Sequence, residues 1–179
     1  QAKAFWPAFR GPLGNGIIPP VNGCDPRGLP ISWSETENVT WKTAIHGKAW
    51  STPAIWENQI WMTTATEDGT KMYVICVDRN SGEILLDRLL WEVENPRPLG
   101  NPVNTYASPS PVIQPGRVFL HFGSYGTACI DTQTFQTLWV RQDLPCNHFR
   151  GPGSSPYLVG DLIVLTMDGV DYQYLVALD

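Results

Sequence analysis

Charge is scarce in this sequence. Only 16% of its 179 residues are Asp, Glu, Lys or Arg, against about 25% in an ordinary soluble domain. The balance is acidic, with a net charge of −5, and no basic run occurs. A nucleic-acid surface needs a basic stripe to displace counterions from the phosphates, so nucleic acid is excluded as a partner. No apolar run approaches the ~20 residues of a membrane-spanning helix, so no membrane span is expected. Cysteines are few, at Cys24, Cys76, Cys129 and Cys146, and none are spaced C-x-x-C. That excludes a zinc site of that pattern, and the count is too sparse for a disulfide scaffold. The three histidines (His46, His121, His148) form no H-x-x-x-H pair, so no metal site is expected. No Walker loop and no G-x-S-x-G elbow occur; Gly151-Pro152-Gly153-Ser154-Ser155 lacks the closing glycine.

Punctuation and aromatics are plentiful, with 16 Gly, 16 Pro and 8 Trp. So many turn formers argue against a helical bundle and for short strands joined by tight turns. The chain opens on Gln, and Ala2-Lys3-Ala4 has the small-x-small pattern of a signal-peptide cleavage site. This predicts export, with cleavage near Ala4 and a periplasmic or secreted location. Residues 1–33 show neither a 3.6 nor a 2 period and read as an irregular N-terminal arm, with Phe5, Trp6 and Phe9 as its anchors.

From residue 34 onward the pattern is that of strands. The run NVTWKTAI at 38–45 is expected as an isolated outer strand of a closing blade. Three similar units follow, at 46–93, 106–142 and 154–179. Each has a proline-containing first strand, around Pro53, Pro111 and Pro156. A strongly apolar second strand comes next, such as Val118-Phe119-Leu120 and Leu162-Ile163-Val164-Leu165. An Asp then sits two residues after a small side chain: Cys76-Val77-Asp78, Cys129-Ile130-Asp131 and Ala177-Leu178-Asp179. A period near 50 with about four short strands per unit signals a β-propeller. Strands apolar on both faces suit a blade sandwiched between two others better than a two-sheet sandwich with one solvated face. The fold class is therefore all-β, a propeller of four-stranded antiparallel blades.

The unit endings carry a more specific likeness. Cys76-Val77-Asp78-Arg79-Asn80-Ser81-Gly82 and Cys129-Ile130-Asp131-Thr132-Gln133-Thr134-Phe135, the latter followed by Trp139, resemble the A-x-D-x-x-T-G-x-x-x-W repeat of pyrroloquinoline-quinone (PQQ)-like β-propellers. The arm Trp6-Pro7-Ala8-Phe9-Arg10-Gly11-Pro12 is similar to the W-P-x-F-R-G-P opening of exported members. In this motif the Asp and Ser/Thr bond the turn, Gly supplies a positive φ and Trp packs between blades. Phe135 at the Gly position predicts a differently shaped turn. The resemblance implies about eight blades in the intact ring. The chain would then be an N-terminal fragment with about three blades, the remaining blades missing.

The longest loops, 94–105 and 143–153, fall on one face of such a ring. The second carries the candidate ligand-binding residues Asn147, His148 and Arg150, with Ser154 and Ser155 directly after it. No catalytic residue stands out. His121, in an apolar run, reads as a satisfied core histidine and His46 as a solvated turn residue. Cys76 and Cys129 read as small core residues, since Ala177 takes their place in the third unit. Cys24 and Cys146, both in loops, could pair if the chain is exported. The resemblance implies two functions. The leading one is a non-catalytic binding or scaffold module in the cell envelope, with a protein or envelope partner and no cofactor. The alternative is a dehydrogenase that oxidises an alcohol or sugar with PQQ and calcium. That chemistry asks for a carboxylate base and oxygen ligands for Ca²⁺, whereas the 147–155 cluster contains no acidic residue.

Overall fold

The computed structural model describes residues 5–18 and 30–179. Twelve strands lie among them: β1 (Phe5–Trp6), β2 (Ala54–Trp56), β3 (Gln59–Ala65), β4 (Lys71–Asp78), β5 (Ile84–Glu92), β6 (Val112–Gln114), β7 (Arg117–His121), β8 (Thr127–Asp131), β9 (Thr137–Arg141), β10 (Tyr157–Val159), β11 (Leu162–Asp168) and β12 (Gln173–Leu178). They form three antiparallel sheets in which spatial order follows chain order, β1 to β5, β6 to β9 and β10 to β12. Residues 38–179 contain no helical turn. The architecture is all-β, and its sheets are neighbouring blades of a partial propeller.

Two apolar layers hold the blades face to face. Trp61, Val74, Met72 and Cys76 of the first sheet pack against Val118, Leu120, Ala128 and Ile130 of the second. The opposite face of the second sheet, with Val112, Phe119 and Cys129, packs on Ile163, Leu165, Met167 and Leu178 of the third. Being covered on both faces, β7 and β8 are buried almost throughout. In β11 the pattern alternates, because the third sheet is covered on one face only. Cys76 and Cys129 are fully buried free thiols. Burial, the largest cause in each, pushes their pKa values up to about 12 and about 11. They are core residues.

A hydroxyl contact repeats at both blade junctions. Thr52, Ser110 and Ser155 each sit one residue before the aligned proline. The Thr52 N–H donates to Ser110 Oγ at 2.8 Å, and the Ser110 N–H donates to Ser155 Oγ at 2.9 Å.

The motif turns also repeat. Asp78 Oδ1 accepts the N–H groups of Asn80 and Ser81, both at 2.8 Å, and Asp131 Oδ1 accepts those of Gln133 and Thr134 at 2.9 and 2.7 Å. The expectation of a different turn at Phe135 is corrected. Phe135 takes a φ of 59°, against 76° at Gly82, and both close the same bond to the Asp carbonyl. A left-handed conformation costs a bulky residue about 1–2 kcal/mol. Its ring, packed 5.7 Å from that of Trp61, and its carbonyl, accepting from Arg88 Nη1 at 2.6 Å, offset that strain.

Two more expectations change. Residues 38–45 form no strand: a strand is defined by its ladder, and no ladder pairs this run with a described strand. Side chains anchor it instead. Trp41 Nε1 donates to the Arg79 carbonyl at 2.9 Å, and Thr43 Oγ1 to the Gly82 carbonyl at 2.5 Å. The arm, expected to be irregular, contributes β1, which adds to the free edge of β2 and makes the first sheet five-stranded rather than four-stranded. The Pro7 carbonyl then accepts from Ile113 N–H of β6 at 2.8 Å. The arm thus crosses the inner edges of two blades. Phe5 packs edge-on against Trp56 and Trp6 is half-buried, but Phe9 is 55% exposed and anchors nothing. Ala2, Lys3, Ala4 and Cys24 lie outside the described residues.

The turn carboxylates predict an acid response. Asp68 is pulled down to about 2, first by the Thr66 hydroxyl and then by the Thr70 N–H and hydroxyl. The N–H groups of Ser81 and Asn80 lower Asp78, and those of Thr134 and Gln133 lower Asp131. Each is depressed in the folded state, so its contribution is present above the unfolded value near ~3.9 and is lost as pH falls through the folded one. The melting temperature should fall between about pH 4 and pH 2. Asp78→Asn combined with Asp131→Asn should flatten that slope; an unchanged slope in this variant would refute the assignment.

Candidate functional site

The loops 93–111 and 142–156 are stitched together on one face of the arc. The Gly100 N–H donates to the Phe149 carbonyl at 2.8 Å. Asn104 Nδ2 donates to the carbonyls of Arg150 at 2.6 Å and Pro152 at 3.2 Å. Asn104 Oδ1 accepts from Thr105 N–H at 2.9 Å and from the Ser108 hydroxyl at 2.5 Å. One asparagine therefore ties both loops and uses up its hydrogen-bonding capacity.

Three of the expected residues, His148, Arg150 and Ser154, line a cleft of about 420 Å³ together with Phe149, Asp168 and Val170. Asn147 and Ser155 lie outside that lining. The Asn147 N–H donates to Asp171 Oδ1 at 2.6 Å, and its carbonyl accepts from Val170 at 3.0 Å, which docks the loop on the β11–β12 turn. Ser155 takes part in the blade junction described above.

His148 is a packing residue as much as a lining one. Its ring lies so close to Gly123 that a Cβ there would sit 2.7 Å from Nε2, and Gly123 has a φ of 61°. Its Nδ1 faces the Asp168 carbonyl at 3.3 Å and Cys146 Sγ at 3.6 Å. A carbonyl only accepts, so Nδ1 carries the proton and the buried Nε2 is left without a partner. Burial, outweighing the Asp168 carbonyl, lowers its pKa. Cys146 is a buried free thiol, pushed up to about 11 chiefly by desolvation, so the pair holds no thiolate nucleophile at neutral pH.

His121 is the satisfied core histidine expected, with Nδ1 2.8 Å from Thr127 Oγ1 and a pKa pushed down to about 3 by burial. His46 is exposed, as expected of a solvated turn residue, and also pairs with Asp87 at 3.0 Å and packs edge-on to Tyr73.

A second cleft, of about 510 Å³, shares Arg150 and Gly153 with the first and adds Trp50, Asn101, Val103, Asn104 and Ser108. Trp50, Ser108 and Gly153 each stand three residues before an aligned proline, so the repeat itself brings one position from each blade to this cleft. That signal was present in the sequence and marks Trp50, a residue that local motifs did not single out.

Among the described residues no group of three or more His, Cys, Asp or Glu side chains could hold a metal ion. Ca²⁺ takes six to eight oxygen ligands, and Asp168 is the sole carboxylate lining either cleft. The donors of this chain do not fit Ca²⁺ there. No helix among the described residues is long and apolar enough to cross a membrane.

No protein-family model and no curated sequence matches the chain. Solved structures do match. A quinohemoprotein alcohol dehydrogenase, ADHIIG of Pseudomonas putida HK5, superposes over 78% of this chain with a TM-score of 0.51 at 18% identity. A europium-containing methanol dehydrogenase superposes over 79% with a TM-score of 0.52 at 13% identity. BamB of Moraxella catarrhalis superposes over 78% with a TM-score of 0.50 at 15% identity. The fold is that of a PQQ-like β-propeller. The matched part of this propeller spans 20%, 24% and 36% of those three chains respectively. At these identities the likeness establishes the fold alone.

Proposed function

We propose that the chain is part of a larger propeller ring that acts as a non-catalytic binding module in the cell envelope, exported by a signal peptide and engaging a protein partner through its loop face. The observation that carries this reading is the make-up of the two clefts. Their polar groups are largely spent on holding the loops together, and they contain neither a carboxylate pair nor an activated nucleophile. Among the groups they leave free is the Arg150 guanidinium, beside exposed apolar side chains, a composition suited to recognition. The likeness to BamB supports the propeller fold that such a module would use. The likeness to two dehydrogenases keeps an alcohol- or sugar-oxidising quinoprotein as the alternative. No bound cofactor is part of the proposal.

Two measurements test it. After mixing with PQQ and Ca²⁺ and desalting, the protein should retain no quinone absorbance; stoichiometric retention would favour the dehydrogenase. A photocrosslinking side chain placed at Val170 should join the chain to one discrete envelope protein. The same probe at Gln133, in a turn at the opposite ends of the strands, should not. Equal labelling from both positions would overturn the loop-face reading.

A further inference from the structure

We propose that the cleft shared by Trp50 and Arg150 binds an acidic saccharide, a pyranose ring carrying a carboxylate. The inference goes beyond the protein-partner reading and does not depend on it. The cleft volume of about 510 Å³ falls within the range of small-ligand sites.

Trp50 is 62% exposed, yet its Nε1–H is fixed by the Val103 carbonyl at 2.6 Å. An indole held rigid with its faces bare is a ready stacking platform, because little side-chain entropy remains to be lost on binding. No described aromatic ring stacks on it. The exposed Val103 extends the apolar surface.

The uncommitted side-chain polar groups of the lining are donors. The Arg150 guanidinium makes no hydrogen bond or ion pair with any described residue. Asn101 Oδ1 is taken by the Val103 N–H at 2.8 Å, while its NH₂ has no partner among the described residues. The side-chain amide acceptors are already used, since Asn104 Oδ1 takes Thr105 and Ser108, and the Val103 carbonyl takes Trp50. Free side-chain donors without free side-chain acceptors favour an acceptor-rich ligand, and a guanidinium fork matches a carboxylate. Asp168 lines the neighbouring cleft, which Arg150 also lines, but no ion pair joins the two.

The ring type follows from one-sidedness. Only Trp50 contributes an aromatic face, so a flat aromatic acid would leave its second face in water. A pyranose has an apolar C–H face for the indole and a hydroxylated face for solvent, and a uronate adds the carboxylate for Arg150.

Trigalacturonate, titrated into the 179-residue protein at low salt, is the probe. We expect saturable binding in the micromolar to low-millimolar range, with galactotriose at least about tenfold weaker. Arg150→Gln and Trp50→Ala should each weaken binding about tenfold or more, with Trp50→Phe intermediate. Circular dichroism should show each variant folded, since both side chains are exposed. Four outcomes would overturn the proposal: no saturation at about 10 mM, equal binding of galactotriose, indifference to Trp50→Ala, or tighter binding of 2-naphthoate than of trigalacturonate. Each leaves the crosslinking test of the protein-partner reading unaffected.

Discussion

Trp61→Ala should unfold the protein at a markedly lower temperature than any surface substitution. Trp61 is fully buried at the centre of the layer between the first two blades. Its Nε1–H donates to Gln59 Oε1 at 3.0 Å, and Gln59 Nε2 in turn donates to the Thr132 carbonyl of the second blade at 2.8 Å. Its ring also offsets the strained conformation of Phe135. Truncation therefore removes a large apolar volume, orphans one polar group and strips support from a positive-φ residue. Replacing a buried aromatic by Ala typically costs about 3–5 kcal/mol. For a chain of this size each kcal/mol lowers the melting temperature by roughly 2–4 °C, so a fall of at least about 6 °C is expected. Phe9→Ala, at an exposed arm position, should stay within about 0.5 kcal/mol. Urea titration monitored by circular dichroism compares the two, and a Trp61→Ala loss under about 1 kcal/mol would place the blade interface elsewhere.

The second large effect concerns the uncovered face of the third sheet. The ladder pairs Tyr157 with Val164, Val159 with Leu162, Val164 with Ala177 and Thr166 with Leu175, so these side chains share one face. Tyr157 is 65% exposed, Val159 55%, Leu162 41% and Leu175 70%. Contiguous apolar surface of this kind is rarely left bare on a monomer. The 19.9 kDa protein should therefore sediment as concentration-dependent self-associated species. Combining Tyr157→Lys with Leu175→Glu should shift it to monomer without unfolding it, because neither side chain belongs to the buried layer beneath. A wild-type protein that sediments as a sharp monomer at every concentration would show that this face needs no cover.

The propeller could be read from the sequence because its signals are local and repeated. Aligned prolines, apolar second strands and terminal aspartates each report one strand or one turn, and three copies fix the period. Residues 38–45 misled for a related reason: a β-type pattern identifies a chain that can pair, not one that has a partner. Phe135 was misjudged because a glycine preference describes the isolated turn, while Trp61 and Arg88, 74 and 47 positions away, decide what that turn can bear. Among the site residues, His148, Arg150 and Ser154 were legible as polar loop residues beside glycines. Asn147 and Ser155 looked alike in sequence but serve docking and blade contacts, since a hydroxyl's partner across a junction leaves no mark on its own segment. Trp50 was hidden in a different loop, and only the repeat alignment connects it to Gly153, three residues after Arg150.

The hydroxyl contact at the blade junctions has a direction. At each junction the earlier blade supplies the backbone N–H and the later blade supplies the side-chain oxygen. The arc therefore has unlike ends, with the equivalent N–H belonging to Ser155 at one and the equivalent hydroxyl belonging to Thr52 at the other. Units joined in this head-to-tail manner behave like the subunits of a polar polymer, in which rotation per step decides between a closed circle and an open spiral. A blade inserted backwards would set N–H against N–H at one junction and leave the hydroxyl without its N–H partner at the other. The junction thus works as a vectorial key, admitting successive blades in one orientation and leaving a growing ring only one way to seal.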